Sequence, residues 1–373
     1  LIIIVYTLLF IMMVFVNYVI CKKIGVMENT YKYKSLDGLR GLCAALVVFH
    51  HFYWRNGSSS DKFWSVDYLN GGEKLLALII GQLPVALFFM ISGFLFYFVS
   101  VSQKPVFSFL KGRVFRIYPP VLISLIIAAF SLIIIDRESV SCATGVLKYI
   151  PTPVGFASSG SVCEFDMGPI NSGILWTLIW EWRLYVFVPV LMILLRYIRS
   201  GIFVIGGLFF VTFTMWLSSL LDEMQSSCIA LFLSGFISAI LSSRSFSESQ
   251  KYLLFFGGGV LFLISLFITK RVYNPFTAVS LIPLFLSIAS GFSMFGILVN
   301  KKMQLLGVTS FSFYLNHGAF QFISKHFFYD YGFYIWQTAS VIMVCISAPF
   351  LYKYVEMAFQ IKKRHVPAEV IKP

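Results

Sequence analysis

The sequence predicts an all-α polytopic membrane protein, a bundle of ten transmembrane helices with a candidate extra helix at residues 1–26. Three observations predict it. Of the 373 residues, 58% are hydrophobic and only 12% charged, whereas ordinary soluble domains carry about 25% charged residues. Apolar stretches of near-membrane length recur from end to end, separated by short polar segments. Regular alternation with period two, the pattern of an outer-membrane barrel, is absent. The net charge of +13 does not call for nucleic acid as a partner, because basic side chains collect in the cytoplasmic loops of membrane proteins.

Residues 1–20 form one apolar run closed by Cys21, Lys22 and Lys23. The run lacks the small-residue cleavage pattern of a signal peptide. It is either a genuine extra span or a region upstream of a start at Met27. The main unit is expected over 27–355, followed by a basic cytoplasmic tail at 356–373. Its spans fall at about 36–54, 75–101, 119–135, 174–195, 201–221, 228–243, 252–269, 276–299, 305–324 and 334–352. Pro119 and Pro120 suit the opening turn of the third span, since proline is tolerated at a helix start. The longest polar segment, 136–172, is rich in Ser, Gly and Pro.

Charge sets the orientation. With Arg40 at the cytoplasmic face and spans alternating, the inner segments carry twenty Lys and Arg and the outer segments eight. This bias places both ends of the ten-span unit in the cytoplasm and 136–172 outside. Six cysteines are scattered without a CxxC pair or the His/Cys spacing of a metal site, so no metal is expected. Cys43 and Cys345 fall in apolar runs. Cys142 and Cys163 share the 136–172 segment, where a disulfide is permitted if that segment lies outside the cytoplasm.

Four polar clusters stand where lipid alone would not put them. The first lies in SLDGLRGLCAALVVFHH: Asp37, Arg40, His50 and His51. Asp37 and Arg40, at i and i+3, read equally as an interfacial ion pair, and a lone intramembrane histidine reads equally as a hydrogen-bond partner. Arg40 and His51 are eleven residues apart, which returns them to nearly the same helix face about 16 Å apart. His50 points about 100° away from His51, so His51 is the one that shares Arg40's face. The second cluster is Lys111, Arg113 and Arg116, just ahead of Pro119. Positive-inside anchoring explains the charge; arginine forks at a helix N-terminus also suit phosphate. The third is Glu181, about 12 Å into its span and followed two residues later by Arg183. At that depth a partner such as His51 or an arginine is expected. The fourth is Tyr314 to His317, YLNH, where an interhelical hydrogen bond is the plainer role for His317.

These motifs, with LFFMISGF around Ser92, RVFRIYP, WTLIWEWRLYVFVP and SFSFYLNH, occur in the order found in the integral-membrane acyltransferase family 3, which includes O-acetylases of bacterial surface polysaccharides. The resemblance covers about residues 35–355. It implies a ten-helix unit, cytoplasmic ends and acyl-CoA (acetyl-CoA foremost) as co-substrate. The family's Arg, ten-residue gap, His pattern falls on Arg40 and His51, its Arg-x-x-Arg on Arg113 and Arg116, and its glutamate motif on Glu181 and Tyr185. Thr177 stands where serine is usual, Leu184 where phenylalanine is usual and Phe311 where tyrosine is common. Many relatives carry an added hydrolase-like domain; this chain resembles the stand-alone members.

The resemblance implies transfer of an acyl group from cytoplasmic acyl-CoA to a hydroxyl of a cell-surface or lipid-linked glycan, in the cytoplasmic membrane. His51 and Glu181 are then the catalytic candidates, with His51 as general base or as acyl acceptor and Glu181 orienting it. Arg40, Lys111, Arg113 and Arg116 would hold the donor, and Asp37, Ser92, Tyr185, Tyr314 and His317 would support them. The alternative is a transporter or flippase for a glycan or anion, its pathway lined by the same charges. A glycan-polymerising glycosyltransferase is a third reading. The inverted repeats and broken paired spans common in transporters are not evident in the sequence.

Overall fold

The computed structural model describes residues 2–27, 33–56, 66–102, 105–135, 144–151, 161–162, 165–198 and 200–359. In chain order the helices are α1 (Ile2–Ile24), α2 (Lys34–Asn56), α3 (Gly71–Val101), α4 (Val106–Ile135), α5 (Met167–Asn171), α6 (Leu175–Tyr197), α7 (Gly201–Leu217), α8 (Glu223–Leu241), α9 (Glu248–Thr269), α10 (Pro275–Ser280), α11 (Ile282–Ala289), α12 (Lys301–Val308), α13 (Ser310–Phe328) and α14 (Ile335–Leu351). A π-helical turn, Tyr352–Glu356, and a last helical turn, Met357–Phe359, complete the final rod. Two two-residue strands, Ser161–Val162 and Phe165–Asp166, pair ahead of α5.

Local chemistry explains several starts. α8 opens on a capping box, with Asp222 Oδ1 accepting from the Gln225 amide at 2.7 Å, and Ser247 and Gln250 form another at α9. Asn274 caps α10 ahead of Pro275, whose missing N–H costs nothing at that position. The exposed faces are apolar: α9 alone presents Leu253, Phe256, Val260, Leu263 and Phe267 outward. Such a surface is stable against lipid and not against water. Seven helices among the described residues are long and apolar enough to cross a membrane: α1, α3, α4, α6, α8, α9 and the rod from α14. The protein is integral to a membrane.

Three expectations about spans are corrected. The third helix does not begin at Pro119; it begins at Val106 and runs through both prolines. Neither proline has an N–H, so the carbonyls of Phe115 and Arg116 lose their usual donors four residues on, and packing against neighbouring elements carries the helix past them. Arg113 and Arg116 therefore ride inside α4 and not ahead of a helix N-terminus. The eighth stretch is two short helices, α10 and α11, followed by turns from Ser290 to Asn300. The ninth is broken at Thr309 into α12 and α13. The Cys142–Cys163 pairing lies outside the described residues, whereas Cys21, Cys43, Cys228 and Cys345 are buried free thiols.

Glycines set the closest approaches. A Cβ on Gly307 would lie 1.8 Å from the Asp37 carbonyl oxygen, and one on Gly41 would lie 2.7 Å from that of Met303. α2 and α12 thus touch backbone to backbone, the small-residue packing of membrane helices. α1 is docked by a polar contact: Asn17, fully buried, accepts from Thr309 Oγ1 at 3.1 Å, at the break between α12 and α13.

Candidate active site

A cavity of about 290 Å³ opens between α2, α3, α4, α6 and α13. Its charged lining is Arg40, Arg113, Arg116 and Glu181, and its hydroxyls come from Ser92, Thr177, Tyr185, Ser310 and Tyr314. Phe88, Phe89 and Phe96 supply apolar wall. The mixture suits a ligand with an anionic end and an apolar end.

Arg113 is held by rings. Its guanidinium carbon lies 5.3 Å from the Phe96 centroid, 5.6 Å from Phe109 and 5.9 Å from Tyr185. A desolvated arginine over an aromatic face gains roughly 2 kcal/mol, and the Tyr185 hydroxyl also meets the guanidinium. Arg113 Nε is buried with no hydrogen-bond partner in the protein, as is Ser310 Oγ. Leaving a buried donor unmatched costs about 1–3 kcal/mol, a cost that an anion in the cavity would remove. The Tyr185 hydroxyl lies beside Glu181 and Arg113. Arg40 pairs loosely with Asp37 at 3.9 Å. Thr177 Oγ1 donates to the Ile174 carbonyl at 3.0 Å and so accepts from the Tyr314 hydroxyl at 2.8 Å.

The histidines gather one turn further along α13. The His51 and His317 rings stack, with centroids 5.0 Å apart and planes 29° apart. His317 Nδ1 donates to the Tyr314 carbonyl at 2.9 Å, which leaves Nε2 as the unprotonated nitrogen; it is buried and has no partner. His50 is engaged at both nitrogens: Nδ1 donates to the Ala77 carbonyl at 2.5 Å, and Nε2 accepts from Trp54 Nε1 at 2.9 Å. Its ring fills the space beside Gly81, where a Cβ would come within 2.3 Å of it. Tyr314 joins the two regions, lining the cavity on one side and standing 6.1 Å from the His317 ring on the other.

The structure thus brings Arg40, Ser92, Arg113, Arg116, Glu181, Tyr185 and Tyr314 to one cavity, with His51 and His317 stacked next to it. Of the two partners expected for Glu181, it brings the arginines; the groups around His51 are His50, His317 and Arg55. Lys111 is exposed on α4 and is not among the lining residues. Arg183 is exposed and lies over the Trp180 ring at 4.3 Å.

Sequence reasoning missed a buried network beside the histidines. Arg55 Nε donates to Gln321 Oε1 at 3.2 Å and Nη2 to the Gly318 carbonyl at 2.9 Å. Gln321 Nε2 donates to the Val48 carbonyl, and Lys325 Nζ donates to the Arg55 carbonyl. Arg55 stands four residues after His51 and Gln321 four after His317, so the i, i+4 spacing was the available signal. Among the described residues no group of metal-ligating side chains stands together.

A family model described as an acyltransferase domain matches residues 33–353. The chain belongs to acyltransferase family 3. The chain is 27% identical over 185 residues to nodulation protein 10 of Rhizobium leguminosarum bv. viciae, an alignment covering 46% of the chain and 48% of that relative. The chain therefore spans about half the length of the curated relative it matches. No solved structure matches the chain.

Proposed function

We propose that this acyltransferase moves an acyl group, acetyl in the simplest case, from acyl-CoA to a hydroxyl of a cell-surface or lipid-linked glycan. It would do so in the cytoplasmic membrane, with the C-terminus cytoplasmic and 136–172 outside. The observation that carries this reading is the caged arginine cavity one helical turn from a stacked histidine pair.

Arg40, Arg113 and Arg116 hold the phosphates of the donor, for which guanidinium forks are suited. Glu181 and Tyr185 keep Arg113 in place. The thioester lies past Tyr314, beside His51. Neutral His51 takes the proton of the acceptor hydroxyl, and the oxygen attacks the thioester carbonyl. The new C–O bond forms as the C–S bond breaks, and the proton passes from His51 to the departing thiolate. Acyl-CoA and alcohol become ester and CoA, with no other reactant.

Membranes containing the protein are incubated with labelled acetyl-CoA and candidate glycans, beside an Arg113→Ala variant. The wild type is expected to place alkali-labile label on one glycan. Losing one charged hydrogen-bonding group is worth about 1.5–3 kcal/mol, so the variant loses roughly tenfold or more at limiting donor. Equal labelling by a variant present at the wild-type level sinks the reading.

A further inference from the structure

The carboxylate of Glu356 is buried, at 3% exposure, although it stands beyond residue 353, where the family match ends. Taking such a group into an apolar bundle is unfavourable unless charges or donors meet it. Two features bring it in. Tyr352–Glu356 is a π-helical turn, whose extra residue re-aims the side chains relative to α14. That turn is tied to α1, because Lys353 Nζ donates to the Ile24 carbonyl. Ser312 Oγ then donates to Glu356 Oε1 at 2.5 Å, two residues past the cavity-lining Ser310. Arg40 and Arg116 stand within electrostatic reach of the carboxylate and of each other.

We propose that Glu356 is a positioning residue of the donor cavity, a fixed counter-charge that keeps the Arg40 and Arg116 side chains together for the phosphates of acyl-CoA. Two like charges in one buried cavity repel, and a carboxylate anchored by Ser312 within electrostatic reach of both offsets that repulsion before the donor arrives. The donor then need not order them on binding. The inference rests on the donor-cavity reading above.

The test is direct binding of acetyl-CoA to the full chain in lipid nanodiscs, with turnover measured in parallel. Glu356→Gln keeps the size and the Ser312 contact but removes the charge. It is expected to raise Kd about tenfold, to leave kcat at saturating donor within twofold, and to be largely rescued by Glu356→Asp. Ser312→Ala, which frees the carboxylate without removing it, is expected to raise Kd about threefold and serves if Glu356→Gln does not fold. An unchanged Kd overturns the proposal. So does a lowered Kd, which would make Glu356 a mere competitor of the donor for the arginines. Arg113→Ala is measured beside them: if its Kd is unchanged the donor cavity itself is misread, whereas a weakened Arg113→Ala with normal Glu356→Gln and Ser312→Ala defeats only the role of Glu356.

Discussion

Replacing His50 and His51 one at a time separates structure from chemistry within a single helical turn. His50→Leu removes two hydrogen bonds, to the Ala77 carbonyl at 2.5 Å and from Trp54 Nε1 at 2.9 Å, while keeping most of the volume beside Gly81. At about 0.5–1.5 kcal/mol net for each bond, the loss of stability is about 1–3 kcal/mol. Turnover per folded molecule is expected to stay within about threefold. His51→Gln touches the proposed general base instead, and removing such a group costs about 10²- to 10⁴-fold in rate. At 1.36 kcal/mol per tenfold, that is about 3–5 kcal/mol on the barrier. Thermal unfolding in detergent reads the first effect, and acyl transfer from labelled acetyl-CoA, normalised to folded protein, reads the second. If His50→Leu abolished transfer in a folded protein while His51→Gln retained it, the division of roles argued from the two rings would be refuted.

Two further outcomes follow from the packing and the lining. Gly307→Ala pushes a methyl group to within 1.8 Å of the Asp37 carbonyl. The resulting overpacking costs about 1–3 kcal/mol and displaces the turn that carries Arg40, so both unfolding temperature and acetyl-CoA affinity should fall; wild-type values for both would contradict the close approach of α2 and α12. Lys111→Ala, on the exposed side of α4, should leave the acetyl-CoA Kd within twofold, whereas Arg116→Ala should raise it about tenfold or more. Equal effects would return Lys111 to the donor site.

The helices were legible in the sequence because lipid demands long apolar runs, and the cavity because its charges interrupt them. Arg40, Arg113, Arg116 and Glu181 each stand out against hydrocarbon, and the structure gathers all four from α2, α4 and α6. What stayed hidden has a physical reason in each case. Pro119 and Pro120 carry the same local signal at a helix start and within a helix supported by its neighbours. The break at Thr309 is met by a bond to Asn17, 292 residues away in sequence. Arg55 and Lys325 stand just past the expected ends of their spans, and nothing local reports that both turn inward to 2% exposure. Glu356 fell at the expected edge of a polar tail, and its burial and its bond from Ser312 show that it belongs to the bundle.

α13 is fastened along its length: Thr309 at its mouth to Asn17, Ser312 to Glu356, the Leu315 carbonyl to Ser124 at 2.6 Å, and Gly318 against the backbone of Asn171. It therefore works as a ruler. Ser310 and Tyr314 mark the cavity on its scale and His317 marks the stacked histidine pair, three residues or about 4.5 Å beyond Tyr314. A gauge that is clamped at both ends cannot stretch to suit its load. The interval between the cavity and the histidine pair is then set along this helix, and under the proposed function substrates are sorted by how well they fit it.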